Sequence, residues 1–223
     1  MVIDTETCRE LEQHPEKVEP FFRTRHPGVV PTLLSAESAT KQFLNNQHIP
    51  LKSIKCGKFG YEDSGVLLGD AAHTMVPFHA MGMITGLEDV RVFFEEFIDP
   101  AHRSLQHRGQ LERPFCPPGV IQKYSDHRRP DVHAMTDMSV EHYHELSVRV
   151  KSRLSRAEKR METALQRYVP ALGWATLYSR IQFGHERFSV IRKKDHRQKS
   201  ILRSFVPSLL LSLFLAAAIL LAY

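Results

Sequence analysis

Residues 66–70 read VLLGD, an apolar run that stops at a glycine and then presents a carboxylate, Asp70. An irregular stretch containing Pro77 follows, and it opens into GMITGLED, where Gly82 and Gly86 stand four apart at the start of a helical pattern. This order predicts a strand, a loop and a helix. In an open sheet, ligands bind at the carboxyl ends of the strands, so Asp70 stands where it can accept hydrogen bonds from the hydroxyls of a ribose or ribityl chain. The helix from Gly82 offers free backbone N–H groups and the positive end of its dipole, and Gly82 and Gly86 allow another group or element to come close. Such an end suits an anion, or a ring carbonyl that gains negative charge on reduction. An ordinary strand–loop–helix with Asp70 as a helix cap satisfies the same spacing.

The rest of the chain divides into a mixed part and a helical part. Pro15 to Phe22 reads as a short helix closed before His26-Pro27-Gly28, and Pro31 to Asn46 as a second one. Leu51 to Phe59 and Gly65 to Leu68 have strand character around the turn EDSG. Gly82 to Ile98 is helical, with Met83, Leu87, Val90, Phe94 and Phe97 on one broad face. Pro100 to Asp126, with RPFCPPG inside it, reads as a long loop. Pro130 fits the first turn of a helix that carries Val132, Met135, Met138, Tyr143 and Leu146, and another helix runs from Leu154 to Tyr168, before Pro170. Met135, Met138 and Met161 read as core filler at helical spacing.

A formal charge of +5 without an aromatic-interleaved basic stripe argues against a nucleic-acid partner. Much of the positive excess lies in RKKDHRQK, Arg192 to Lys199, just before FVPSLLLSLFLAAAILLAY, Phe205 to Tyr223. That tail is 19 residues without a charge, about the length needed to cross a bilayer core at 1.5 Å per residue. With Asp4, Glu6, Arg9 and Glu10 interrupting any N-terminal apolar region, the expectation is a single-pass tail anchor that holds residues 1 to about 200 on the cytosolic side. A buried C-terminal core helix is the alternative. Cys8, Cys56 and Cys116 form no CxxC pair, and His142 and His144 fall on different helical faces, so no metal site is expected. No motif places a base beside a serine or cysteine nucleophile.

GDAAHTMVPF followed by Gly-Met and Gly-x-Glu-Asp resembles the second flavin-contact motif of FAD-dependent aromatic hydroxylases, above all of their kynurenine-hydroxylating members. FFRTRHPGVVP, PLKSIKCGKFGY, RRPDVHAMTDMS, YSRIQFGHERF and the apolar tail extend the likeness over nearly the whole chain. The resemblance implies that FAD is the cofactor, NADPH the reductant and a small kynurenine-like aromatic amino acid the substrate. It also implies anchoring in the mitochondrial outer membrane. Cofactor contacts are expected at Gly69, Asp70, Pro77, Gly82, Met83 and Ile84, and substrate contacts at Phe78, Met81 and His142. In the family the residue matching Asp70 holds the ribityl chain, and the helix end near Gly82 and Met83 lies over the pyrimidine edge and stabilises reduced flavin.

None of the eleven glycines makes the GxGxxG turn with which the family cradles the FAD pyrophosphate. The unit that carries this turn, and an arginine for the substrate carboxylate, is therefore expected from polypeptide outside this sequence. Met81 and Ile84 stand where the family has glutamine and a polar residue, His142 replaces a substrate-facing asparagine, and Ser147 replaces an arginine. The expected fold is α/β: a partial FAD-binding and substrate-sheet region over 1–126, helices over 127–200 and the anchor over 201–223. Unpaired strand edges near Leu51 and Val66 would make residues 1–200 poorly soluble alone. A noncatalytic, membrane-anchored partner of a flavoprotein is the second reading of the same sequence.

Overall fold

The computed structural model describes residues 2–109, 115–147, 152–168, 171 and 173–204. Two compact units divide after Leu51. In the first, α1 (Thr5–Gln13) is capped by Asp4, which accepts the Thr7 N–H at 2.8 Å. A 3-10 turn at Pro15–Lys17 leads into α2 (Val18–Arg25). The following helix, α3 (Ala36–Asn45), starts five residues later than its sequence pattern suggested, because the Ser35 hydroxyl caps it by accepting the Ser38 N–H. Leu11, Val18 and Phe43 meet in a small core with Phe21, Phe22, Cys8 and Ile3 around it.

The second unit is built on one long helix. Helix α7 (Val120–Ser147) buries Val120, Ile121, Tyr124 and Val132 against Phe59, Ala72, Val92, Phe93 and Ile98. Its later turns bury Ala134, Met135 and Met138 with Met81, Leu177 and Ile181 of α9 (Leu177–Phe183), and with Phe188 and Ile191 of a helix over residues 188–204, α10. Met135 and Met138 are core filler, as their spacing implied, whereas Met161 is only half-buried. Helix α8 (Arg153–Tyr168) lies between α7 and α9 in sequence.

Several expectations need correction. The two apolar runs do not build a substrate sheet: β1 (Gly60–Tyr61) and β2 (Gly65–Val66) form a two-residue antiparallel ribbon, and the described residues are mostly helical. The run before β1 stays extended, but its Ile54 and Cys56 N–H groups bond to the Thr74 and Ala72 carbonyls instead of to a neighbouring strand. A strand needs a ladder partner, and no third strand stands beside these among the described residues.

The stretch expected as a long loop contains α6 (Asp99–His107), reached from α5 (Gly82–Val92) through a π-helical turn at Phe93–Ile98. Pro100 follows directly on the π-helical turn, where the Asp99 N–H bonds five residues back to the Phe94 carbonyl, so the proline falls at a break in the regular α-helical ladder. Pro130 lies inside α7 and not at its start. Burial of Val120, Ile121 and Tyr124 carries the helix upstream of it, so tertiary packing overrides the local cost of the proline. Helix α7 also runs through residue 126, so no domain boundary falls there.

Most of the apolar face of α5 points away from the core. Met83 (76% exposed), Leu87 (64%), Ile84, Val90 and Phe94 face outward, while Thr85, Asp89, Val92 and Phe93 face the core. No helix among the described residues is long and apolar enough to cross a membrane. Residues 205–223, where the sequence places the span, lie outside the described residues.

Candidate active site

Two backbones in close approach set the shape of the site. Gly69 has φ +58° and ψ −139°, a conformation that L side chains rarely adopt. It rests on α5 so closely that a Cβ on Gly86 would lie 3.3 Å from the Gly69 Cα. The turn then enters the short helix α4 (Asp70–His73). Asp70 is exposed and caps no helix; Gly69 occupies the cap position, without a side-chain bond. The capping alternative for Asp70 is thereby removed.

Beyond α4, a 3-10 turn at Pro77–His79 and left-handed Ala80 (φ +54°) deliver the chain to Gly82, the first residue of α5. Met81 is at the cap of α5 and no side chain bonds to its first turn. The N–H groups of Gly82, Met83 and Ile84 therefore have no intrahelical acceptor, and Met83 and Ile84 are exposed. An exposed carboxylate and an uncapped helix start on one loop suit a polyol chain joined to a ring that carries negative charge.

A buried charged network fixes this loop from behind. The Asp89 carboxylate accepts the Gly69 N–H at 2.9 Å, the His73 Nε2–H at 2.5 Å and the Arg128 Nε–H at 2.8 Å. Arg128 also donates to Glu88 at 2.6 Å and to the Thr85 carbonyl. Burial alone would raise the Asp89 carboxyl, but the bonds from His73 and Arg128 outweigh it and hold the group below its ordinary value. For Arg128, burial is likewise outweighed by Asp89 and Glu88, and its value is raised. The ion pair thus stays charged and ties α4, α5 and α7 together.

At the other end of the loop, aromatic rings connect it to the end of α7. The His79 ring stacks on His142 with centroids 4.2 Å apart, and Phe78 meets Tyr143 at 4.8 Å. Gln182 of α9 donates to the His79 carbonyl. His79 is buried, neither of its ring nitrogens makes a well-formed hydrogen bond, and burial followed by the neighbouring His142 pushes its pKa down to about 4. Next to this pair, His142, Glu145, Lys159, Glu162, Lys199 and Arg203 line a cleft of about 200 Å³.

Of the positions singled out from the sequence, Gly69, Asp70, Pro77, Gly82, Met83 and Ile84 lie along the one loop and helix start. Phe78 and His142 reach the aromatic contact at its far end. Met81 does not line an open site: it is 5% exposed and packs with Met135 and Met138. Four residues escaped sequence reading: His73, His79, Asp89 and Arg128. An acid on the core side of a largely apolar helix was the available signal for Asp89, whereas nothing in HRRPD marked Arg128 as its partner.

Residues 5–105 match the family model described as FAD binding domain. Kynurenine 3-monooxygenase 2 of Aspergillus niger is 42% identical over 182 residues, which is 82% of this chain and 37% of that protein. Kynurenine 3-monooxygenase of Chaetomium globosum is 42% identical over 83% of this chain and 39% of its own length. The Aspergillus oryzae enzyme of that name is 39% identical over 95% of this chain and 41% of its own. The chain thus spans about two fifths of the curated relatives it matches. Over most of its length the chain is thus similar to kynurenine 3-monooxygenases, and over residues 5–105 to an FAD binding domain.

Proposed function

We propose that this chain is the C-terminal, flavin-facing and membrane-anchored portion of an aromatic-ring monooxygenase that hydroxylates a kynurenine-like amino acid, with FAD as cofactor and NADPH as reductant. The observation that carries this reading is the exposed Asp70 carboxylate on the same rigid loop as the uncapped start of α5. Bound FAD would supply the redox chemistry, taking a hydride from NADPH and delivering one oxygen atom of O2 to the ring. Asp70 holds hydroxyls of the ribityl chain. The N–H groups of Gly82, Met83 and Ile84 stabilise negative charge at the pyrimidine edge, a pre-oriented dipole that needs no rearrangement during the reaction. Phe78, His142 and Tyr143 form an aromatic wall that orients the substrate and excludes water.

The outward apolar stripe of Met83, Ile84, Leu87, Val90 and Phe94 is the surface on which the dinucleotide-binding portion packs. Residues 205–223 cross the bilayer, in the mitochondrial outer membrane, with the rest of the chain on the cytosolic side. The basic stretch before the tail is partly neutralised within the unit: Arg192 pairs with Asp137 and Glu141, Lys194 with Glu186 and Lys199 with Asp195. Exposed Lys193 and Arg197 are the groups placed to meet anionic headgroups.

The test is a flavin absorbance spectrum of the detergent-solubilised chain, alone and after co-expression with the dinucleotide-binding portion of the Aspergillus niger relative. The pair should hold flavin with a perturbed spectrum and show kynurenine-stimulated NADPH oxidation, both lost in Asp70→Ala. A folded pair that binds no flavin, or flavin retention unchanged by Asp70→Ala, would overturn the reading and leave the noncatalytic partner.

A further inference from the structure

The first compact unit carries a group of side chains that the flavin chemistry does not use. Cys8 and Glu12 stand four residues apart on α1, hence on one face of the helix. His48, from the segment after α3, approaches the same face and its Nδ1 lies 2.7 Å from a Glu12 carboxylate oxygen. The sulfur, imidazole nitrogen and carboxylate oxygen all lie within 4.8 Å of one another. From the geometry we infer that Cys8, Glu12 and His48 form a binding site for one divalent metal ion of the zinc class.

The donor set decides the class of ion. A thiolate with imidazole and carboxylate suits zinc, or cobalt in its place, and suits magnesium or calcium poorly because these take oxygen ligands. Bonds of about 2.0–2.3 Å in a tetrahedron set donors roughly 3.3–3.8 Å apart, so the sulfur needs to close by at most about 1 Å while the His48–Glu12 pair, now at 2.7 Å, opens by about 0.6 Å. Side-chain rotation of Cys8 and Glu12 on a fixed helix can supply it. The His48 ring is already held, lying against the Phe43 ring with centroids 4.5 Å apart.

Charge balance favours the same ion. A thiolate with one carboxylate neutralises a dication. Cys8 binds the ion as a thiolate, so binding releases its proton. With three protein ligands the fourth position is left to water. The ion would pin the segment after α3 to α1, the two parts of this unit farthest apart in sequence.

The test is a cobalt titration of the whole detergent-solubilised chain after chelator treatment, followed by zinc displacement. One equivalent should give the intense near-ultraviolet thiolate-to-cobalt absorption. Cys8→Ser should abolish the band, Glu12→Gln and His48→Ala should weaken binding at least about tenfold, and the double variant Cys56→Ser/Cys116→Ser should keep it. Zinc should also raise the Tm of the wild type but not of Cys8→Ser, which shows folding of the variant by its own thermal transition. A band that survives Cys8→Ser, a band that vanishes in the Cys56/Cys116 variant, or no band from protein with a cooperative transition would each overturn the site. Cobalt bound only by scattered histidines gives no thiolate band and counts against it as well.

Discussion

His73 donates from Nε2 to Asp89 Oδ2 across 2.5 Å, with both side chains wholly buried. The same carboxylate oxygen accepts the Gly69 N–H, so one atom holds both ends of the turn that presents Asp70. Since Asp89 is kept charged by His73 and Arg128, its oxygens act only as acceptors, and the His73 Nε2 that faces it is the donor. The outward carboxylate at Asp70 is therefore held in place by an inward one.

Asp89→Asn should be strongly destabilising. It removes the buried one of the two charge partners of Arg128, which is 3% exposed, leaving only Glu88, and places an amide N–H group against existing donors. Breaking one side of a buried pair costs about 3–5 kcal/mol, which urea unfolding of the detergent-solubilised chain should register. Arg128→Met added to Asp89→Asn should cost less than the sum of the single changes, because both act on one network. A loss below about 1 kcal/mol for Asp89→Asn would mean that the loop is held by something else.

Gly69→Ala and Gly86→Ala test the close approach between the turn and α5. Alanine at Gly69 must adopt φ +58° with ψ −139°, a strain of about 1–3 kcal/mol. At Gly86 the added methyl would gain helix propensity, about 1 kcal/mol, yet meet the Gly69 backbone at 3.3 Å. The expected pattern is a lower Tm for Gly69→Ala, and little change in Tm but weaker flavin retention for Gly86→Ala. Unchanged flavin titrations with both variants would separate the turn from cofactor binding.

Stability should fall on mild acidification. His79 has its pKa pushed down to about 4 by burial and by His142, whereas in the unfolded chain a histidine titrates near 6.5. Between those values the unfolded chain holds a proton that the folded one does not, so folding loses stability as pH drops from about 6.5 to about 4. His79→Phe, which keeps a ring against His142, should flatten the Tm profile in that window. An identical slope in wild type and variant would assign the acid sensitivity to other groups.

Leu87→Glu should improve solubility without unfolding the chain. Leu87 is 64% exposed on the outward stripe of α5, and its replacement breaks an apolar patch at a surface position where stability changes stay within about 0.5 kcal/mol. The same variant should weaken association with the dinucleotide-binding portion in a co-purification assay. Retained association would move that interface off α5.

The sequence alone determined the order of chemistry along the chain. A glycine at the end of an apolar run, a carboxylate next, then a proline-bearing loop and a glycine-led helix are local features, and they came out as the turn at Gly69, exposed Asp70, the 3-10 turn at Pro77 and the start of α5. Helical periods likewise placed Met135 and Met138 in the core. Which way a face points is not local. The apolar stripe of α5 has the same period whether it faces the core or a further polypeptide, and only packing against α7 showed that Asp89 and Thr85 face inward while Met83 and Leu87 face out. Strand pattern in Leu51–Phe59 could not become a sheet without ladder partners, and the helix through Pro130 depended on burial ten residues upstream. The pairing of Asp89 with Arg128, 39 residues apart, and of Glu12 with His48, 36 apart, was decided by tertiary structure. Periodicity reports the environment of one segment, whereas a long-range pair depends on how two segments meet.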